Sequence, residues 1–219
     1  MSADRGAGDL RAAYPFTVIR DRLRRHPRPY HDFALGKRRD DAPEWLDGFL
    51  REHAGSAVLL ARPEEKEAFA EAAADLLARV YGATVAPTAI TATPGGRAAM
   101  GALAVSLLGE RDRVLVTEPG YPAFARIAAQ LRARITAVPL DPASSFEPDL
   151  ASIDGDDGRE IRIAALNVPN NPSGALVSPE LVSALRARLA TPGWVFNDAV
   201  YGPLTFLSLI HISEPTRRH

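Results

Sequence analysis

The stretch "IRIAALNVPNNPSGALVSPELVSALRARLATPGWVFND", residues 161–198, decides the fold class of this chain. It begins with an apolar run of strand length at 161–169 and ends with a second one at 193–198. Between them, Ser178 and Pro179 are typical of an N-cap and a first helical residue. A strand, a helix and a strand in series predict two parallel strands joined by a helical crossover.

The same alternation extends towards the N-terminus as far as residue 89. It predicts three earlier strands at 89–93, 113–119 and 134–140, with helices between them at 97–108 and 123–133. The first of these helices is apolar nearly all round, which predicts that it is buried. We therefore predict an α/β fold with a mainly parallel sheet and helices on both faces. Ligands of such sheets gather at the carboxyl ends of the strands.

Two helices are predicted ahead of this alternation, the first of them in an N-terminal helical arm. The segment 42–55 has a proline near its start and a glycine at its end. The segment 63–81 begins with a proline and three acids, and Gly82 follows it as a stop signal. Its apolar residues recur on one face, and they are Phe69, Ala73, Leu76, Leu77 and Val80.

Composition and charge exclude several classes of function. The net charge is −1, which gives no reason to expect nucleic acid or an anionic membrane as a partner. The arginines between Arg20 and Arg28 are interpreted as a solvated helix face or a subunit contact. The sequence has no cysteine, and its histidines lack metal-ligand spacing, so no metal is expected. Without a signal-peptide pattern or an apolar run of about 18 residues, we expect a cytoplasmic protein.

Two segments at predicted strand ends could contact a flat, anionic ligand. In "TPGGRAAM" (93–100), glycines between a strand and a helix let backbone N–H groups approach an anion. In "EPGYPAF" (118–124), Tyr121 is held between glycine and proline and could present its ring to a flat ligand. Taken alone, each segment is also compatible with an ordinary turn.

Two further segments carry polar groups at strand ends. In "NVPNNPSG" (167–174), Asn171 precedes a proline and has little backbone freedom, so its amide could donate to a ligand oxygen. In "FNDAVY" (196–201), Asp198 ends a buried strand with Tyr201 nearby. A buried carboxylate is costly unless it is paired, and no Arg or Lys lies near it in sequence, so we expect a cationic ligand.

In this order, the four segments resemble the fold type I pyridoxal-phosphate enzymes, and among them the class I/II aminotransferase group. The resemblance runs from about Tyr14 to Phe206 and is most specific between residues 93 and 201. It implies the large domain of a pyridoxal-phosphate-dependent transferase, a homodimer, and reaction of an amino acid with a 2-oxo acid. β-Lyases and amino-acid decarboxylases of the same fold would use the same cofactor residues, and a non-catalytic sensor domain is a further alternative.

The resemblance also assigns roles to individual residues. Six positions would bind the cofactor, and they are Gly96, Arg97, Tyr121, Asn171, Asp198 and Tyr201. The first two would give backbone N–H groups to the phosphate, and the first tyrosine would stack on the pyridine ring. The amide and the second tyrosine would bind the phenolate oxygen. The carboxylate would pair with the pyridinium nitrogen and keep it protonated.

The sequence departs from the family at several points. Serine stands at position 173 where the motif usually has threonine, and Gly36 is the best remaining part of the segment near the substrate carboxylate. The lysines of the chain are Lys37 and Lys66, and neither has the context of the family's Schiff-base lysine. We therefore predict no catalytic residue in this chain and no turnover.

The end of the sequence, "LSLIHISEPTRRH" at 207–219, does not resemble the family. It is similar to a transposase adapter used in library preparation and translated in frame, so we expect a truncated gene product with a non-native tail. The expected organisation is an arm or part of a small domain at 1–45, an incomplete cofactor-binding large domain at 46–206, and the tail.

Overall fold

The protein is described here from a computed structural model, which describes residues 15–29, 43–55, 62–153 and 161–204. The chain divides into two compact units, Met1–Leu60 and Ala61–His219. The predicted tail at 207–219, Gly36 and Lys37 lie outside the described residues. The predicted domain boundaries remain predictions.

The first unit contributes two helices, α1 (Pro15–Arg24) and α2 (Glu44–His53). Helix α2 confirms the helix predicted within 42–55. On its exposed surface the rings of Phe49 and His53 stack with their centroids 4.2 Å apart, one helical turn from each other. Four arginines of the basic run have exposed side chains, which is compatible with either a solvated face or a subunit contact, and they are Arg22, Arg24, Arg25 and Arg28.

The second unit begins with the long helix α3 (Pro63–Tyr81), which has the predicted start and stop. At its start the backbone N–H of Arg62 donates to the carboxylate of Glu65 over 2.9 Å. That bond, together with the Arg62 guanidinium, holds the pKa of Glu65 below its ordinary value. At its end Gly82 adopts φ 63°, a left-handed conformation that favours glycine. The predicted apolar face stays largely exposed, with 51% of Phe69 and 53% of Leu76 accessible.

A five-stranded sheet forms the centre of the second unit. Its strands are β1 (Arg113–Glu118), β2 (Arg134–Asp141), β3 (Glu147–Pro148), β4 (Ile161–Asn167) and β5 (Leu189–Asp198). They lie in the order β3-β2-β1-β4-β5. Strands β2, β1, β4 and β5 are parallel, which confirms the mainly parallel sheet. The two-residue strand β3 pairs antiparallel with β2 and was not predicted.

Helices cover both faces of the sheet, as predicted. On one face α4 (Gly96–Leu107) and α5 (Ala123–Gln130) pack on Val114 and Ile163. On the other, α6 (Pro179–Arg186) packs on Leu115 and Ala164. Successive residues of β1 and β4 thus enter opposite cores, because side chains alternate along a strand. Helix α6 starts at the predicted N-cap, where the Ser178 hydroxyl accepts from the Leu181 N–H over 3.2 Å.

Two local predictions are wrong. Residues 90–93 are not a strand, and a single 3-10 turn, Pro87–Ala89, precedes them. A strand needs a hydrogen-bonded neighbour, and no described segment pairs with these residues. Helix α4 is not buried all round either: Met100 and Ala104 are buried on one side, whereas Val105 is 68% exposed.

Across the described residues, no helix is long and apolar enough to span a membrane.

Candidate functional site

The candidate site lies where three neighbouring parallel strands end. Strand β1 ends at Glu118, β4 at Asn167 and β5 at Asp198. The chain continues from β1 to β2 on one side, whereas β4 lies on the other side of β1. The strand order therefore reverses between β1 and β4, and such a crevice is where open α/β sheets bind ligands.

A cavity of about 290 Å³ opens at this edge of the sheet. Five of the six predicted residues line it, namely Gly96, Arg97, Tyr121, Asp198 and Tyr201. The sixth, Asn171, lies beside it and donates its side-chain N–H to the Tyr201 hydroxyl over 3.2 Å. The structure thus brings all six predicted residues together at one edge. The volume is close to the lower end of the range for small-molecule sites.

One side of the cavity is the start of helix α4. Gly95 is the residue before the helix and has φ 91°, a conformation that favours glycine. The first N–H groups of a helix have no partner within it, and the helix dipole makes this end positive. The Arg97 guanidinium adds a full charge at the same place and donates to the Tyr121 hydroxyl over 3.0 Å. This end of the cavity suits an anionic group.

The ring of Tyr121 forms a wall of the cavity. It is half-buried and packs against the core cluster that contains Met100 and Phe124. The loop that carries it passes so close to β1 that a Cβ at Gly120 would lie 2.3 Å from the Thr117 carbonyl oxygen. Glycine at this position therefore sets where the tyrosine ring lies.

We expect the substitution Gly120→Ala to destabilise the second unit by about 1–3 kcal/mol, because the new methyl overlaps backbone and the loop must shift. Urea denaturation measures the effect. Gly101→Ala is the matched control, since a Cβ there meets nothing within 4 Å and alanine is the better helix former. A Gly120→Ala protein as stable as the Gly101→Ala protein would contradict the proposed packing.

The opposite side of the cavity carries the acid. Asp198 is half-buried, and one carboxylate oxygen accepts from the Val200 N–H over 3.3 Å. Within the described part of the chain, no Lys, Arg or His lies within ion-pairing distance of this carboxylate. A half-buried anion with no ion-pair partner among the described residues is compatible with the cationic ligand expected from sequence.

Three lining residues were not predicted: Met100, Asn167 and Val200. Asn167 had a signal in the sequence, because it is a polar residue at the end of an otherwise apolar strand. The Ser173 hydroxyl donates to the Asn170 amide oxygen over 2.7 Å. Serine at this position, where the family motif usually has threonine, therefore still provides a hydrogen-bonding hydroxyl. The peptide bond between Asn171 and Pro172 is cis.

The groups around the cavity match the parts of pyridoxal phosphate. The α4 start offers N–H groups and a positive charge for a phosphate, and Asp198 offers an anion for a protonated ring nitrogen. The Asn171 amide and the Tyr201 hydroxyl lie together as partners for a ring oxygen. The donor set therefore fits this cofactor. In the described residues, no group of three His, Asp or Glu side chains could hold a metal ion.

Comparison with known proteins points to the same group. The family model described as "Aminotransferase class I and II" matches residues 32–216. Transaminase BacF of Bacillus subtilis is 36% identical over 138 residues, which are 62% of this chain and 35% of that protein. The L-glutamine--4-(methylsulfanyl)-2-oxobutanoate aminotransferase of the same organism is 33% identical over 137 residues, 62% of this chain and 34% of that protein.

Solved structures agree with these relatives. An aminotransferase from Mycobacterium tuberculosis has a TM-score of 0.74 at 26% identity, covering 92% of this chain and 53% of that one. Substrate-bound BacF from Bacillus subtilis has a TM-score of 0.66 at 27% identity, covering 74% and 42%. The chain spans about a third of the length of the curated relatives it matches. Because the family model matches most of its residues, the chain belongs to the class I and II aminotransferases, a pyridoxal-phosphate-dependent family.

Proposed function

We propose that this chain is the cofactor-binding part of an aminotransferase that transfers an amino group between an amino acid and a 2-oxo acid. The observation that carries the proposal is the Asp198 carboxylate, which has no ion-pair partner among the described residues and shares one cavity with a helix start and two tyrosines. When bound, pyridoxal phosphate draws electrons from the substrate Cα through its protonated ring nitrogen.

Each residue has a separate task in this proposal. The backbone N–H groups of Gly96 and Arg97 bind the phosphate, and the ring of Tyr121 covers one face of the cofactor and excludes water from it. Asn171 and Tyr201 hold the ring oxygen. Asp198 keeps a proton on the ring nitrogen, because a nearby anion stabilises the charged form.

The relatives described above favour aminotransfer over the lyase and decarboxylase alternatives, since one is named an aminotransferase and the other a transaminase. The name of the aminotransferase includes a substrate pair, whereas that of the transaminase gives none. For this chain, the proposal extends to an amino acid and a 2-oxo acid as substrate classes and to no particular pair.

We further propose that the chain binds its cofactor without catalysing aminotransfer. Aminotransfer needs a lysine at the cofactor that bonds to it covalently and moves the substrate proton. Of the two lysines in the sequence, Lys66 is exposed on the first turn of α3 and does not line the cavity. Lys37 lies outside the described residues.

A binding and trapping experiment tests both proposals. Pyridoxal phosphate is titrated into the purified chain by absorbance, and the mixture is then treated with borohydride and weighed by mass spectrometry. We expect saturable binding that dialysis reverses and no stoichiometric reduced adduct. The control is a Lys37→Arg, Lys66→Arg double variant, which removes every lysine and should bind equally well. Absence of binding would contradict the cofactor proposal, and a stable adduct on either lysine with turnover would contradict the proposed inactivity.

We also propose that the longer protein is a cytoplasmic homodimer. Exposed apolar side chains on α3 and α4 support the dimer, since exposed apolar surface often marks a protein–protein contact. They are Phe69, Leu76, Val80, Leu103 and Val105. Sedimentation of the full-length protein tests this proposal, and a monomer at micromolar concentration would contradict it.

A further inference from the structure

A buried asparagine that has no assigned role lies between the proposed cofactor ligands. Asn167 is the last residue of β4, and 6% of its surface is exposed. Its side-chain N–H donates to the backbone carbonyl of Asp198 over 2.8 Å. Its amide oxygen accepts from the backbone N–H of Asn171 over 2.9 Å. One side chain thus joins the backbones of two residues that would hold the cofactor ring.

Only a side chain with both a donor and an acceptor can make these two bonds at once. A buried amide is costly unless both of its ends are bonded, and here each end faces a backbone group of the matching kind. Aspartate would keep the acceptor and lose the donor, whereas alanine would lose both. Asparagine at 167 therefore matches the backbone donor and the backbone acceptor of the two loops that it joins.

The two ends of the strands are also held together from a second position. The Asn197 amide oxygen accepts from the backbone N–H of Val168 over 2.9 Å. Residues 167 and 198 are partners in the β4–β5 register. Asn167 on β4 and Asn197 on β5 therefore each make a side-chain hydrogen bond across the end of this strand pair. The Asn197 bond does not involve Asn167, so we expect variants at 167 to keep the β4–β5 pairing.

We propose that Asn167 is a positioning residue of this site. By bonding to Asp198 and Asn171 at once, it fixes the separation between the anion proposed for the ring nitrogen and the amide proposed for the ring oxygen. Such pre-organisation should raise the affinity for a rigid cofactor, because no binding free energy is used to order the two loops. The inference rests on the proposed function for its ligand, whereas the two hydrogen bonds can be tested without any ligand.

The test compares Asn167→Ala and Asn167→Asp with the parent chain by two measurements. Amide hydrogen exchange at Asn171 reports the bond to the Asn167 oxygen. Titration with pyridoxal phosphate reports the consequence for the cofactor. We expect Asn171 to exchange about tenfold faster in Asn167→Ala but to stay protected in Asn167→Asp, which keeps the acceptor. Both variants should bind the cofactor about tenfold more weakly, since each loses the bond to Asp198.

Val138→Ala is the control for loss of stability alone. Val138 is fully buried in β2, in the core on the α6 face, and it does not line the cavity. Its truncation should leave both the Asn171 exchange rate relative to global unfolding and the cofactor affinity within about twofold of the parent.

The outcomes separate the two proposals. Fast Asn171 exchange in Asn167→Ala with tenfold weaker binding in both variants supports the positioning role. Unchanged exchange and unchanged affinity in both variants overturn it. If the parent chain binds no pyridoxal phosphate, the proposed function falls, and the exchange data alone then decide whether Asn167 holds the two loops.

Discussion

Replacing Asp198 by asparagine is expected to raise the dissociation constant for pyridoxal phosphate about 10- to 100-fold. Hydrogen bonds to charged groups contribute about 1.5–3 kcal/mol, and each 1.4 kcal/mol is a tenfold change in affinity. No Lys, Arg or His of the described residues forms an ion pair with Asp198, so most of the interaction would be lost with the carboxylate. Isothermal titration calorimetry at neutral pH measures the change.

Glu118→Gln is the matched control for Asp198→Asn. Glu118 ends the neighbouring strand β1 at the same edge of the sheet, and its exposed side chain does not line the cavity. Removing its charge alters the electrostatic potential at this edge and should change the affinity for pyridoxal phosphate by less than about twofold. Equal losses in the two variants would show that only the net charge matters, and the specific role of Asp198 would then be wrong.

The second large effect concerns folding. We expect Leu115→Ala to lower the free energy of unfolding by about 2–5 kcal/mol, the range for truncating a fully buried leucine. Leu115 lies in the central strand β1, has no exposed surface and belongs to the core on the α6 face. Because small domains are stable by only about 5–15 kcal/mol, this loss is a large share of the total. Urea denaturation followed by circular dichroism measures it.

Leu76→Ala is the control for the folding experiment. The same side-chain atoms are removed from α3, but at a site where 53% of the residue is exposed. We expect a change within about 0.5 kcal/mol, since alanine is a good helix former and little buried surface is lost. A loss at Leu76 as large as that at Leu115 would mean that the α3 surface is covered, contrary to the structure.

The sheet was predictable because its strands are short apolar runs separated by helices with clear starts. Ser178 before Pro179 and Gly82 after α3 are local signals, and both elements follow them. The segment 89–93 is also a short run next to a helix and was predicted as a strand. Whether such a run forms a strand depends on a pairing neighbour that its own sequence does not specify. For the same reason the exposure of Val105 could not be read from the apolar pattern of α4.

The site was predictable in its composition but not in its internal bonds. Strand ends bring Tyr121, Asn171 and Asp198 to one edge, and that follows from parallel topology alone. The role of Asn167 depends on hydrogen bonds to backbone groups 4 and 31 residues away. No local sequence pattern indicates that these groups lie beside its side chain. Gly120 likewise looks like an ordinary turn glycine until the Thr117 carbonyl is seen beside it.

The most direct test of the central claim is a crystal structure of the chain grown with pyridoxal phosphate. We expect the ring nitrogen within hydrogen-bonding distance of the Asp198 carboxylate, with the phosphate at the start of α4. Cofactor bound at another place, or Asp198 paired with a cation of the protein itself, would contradict the claim.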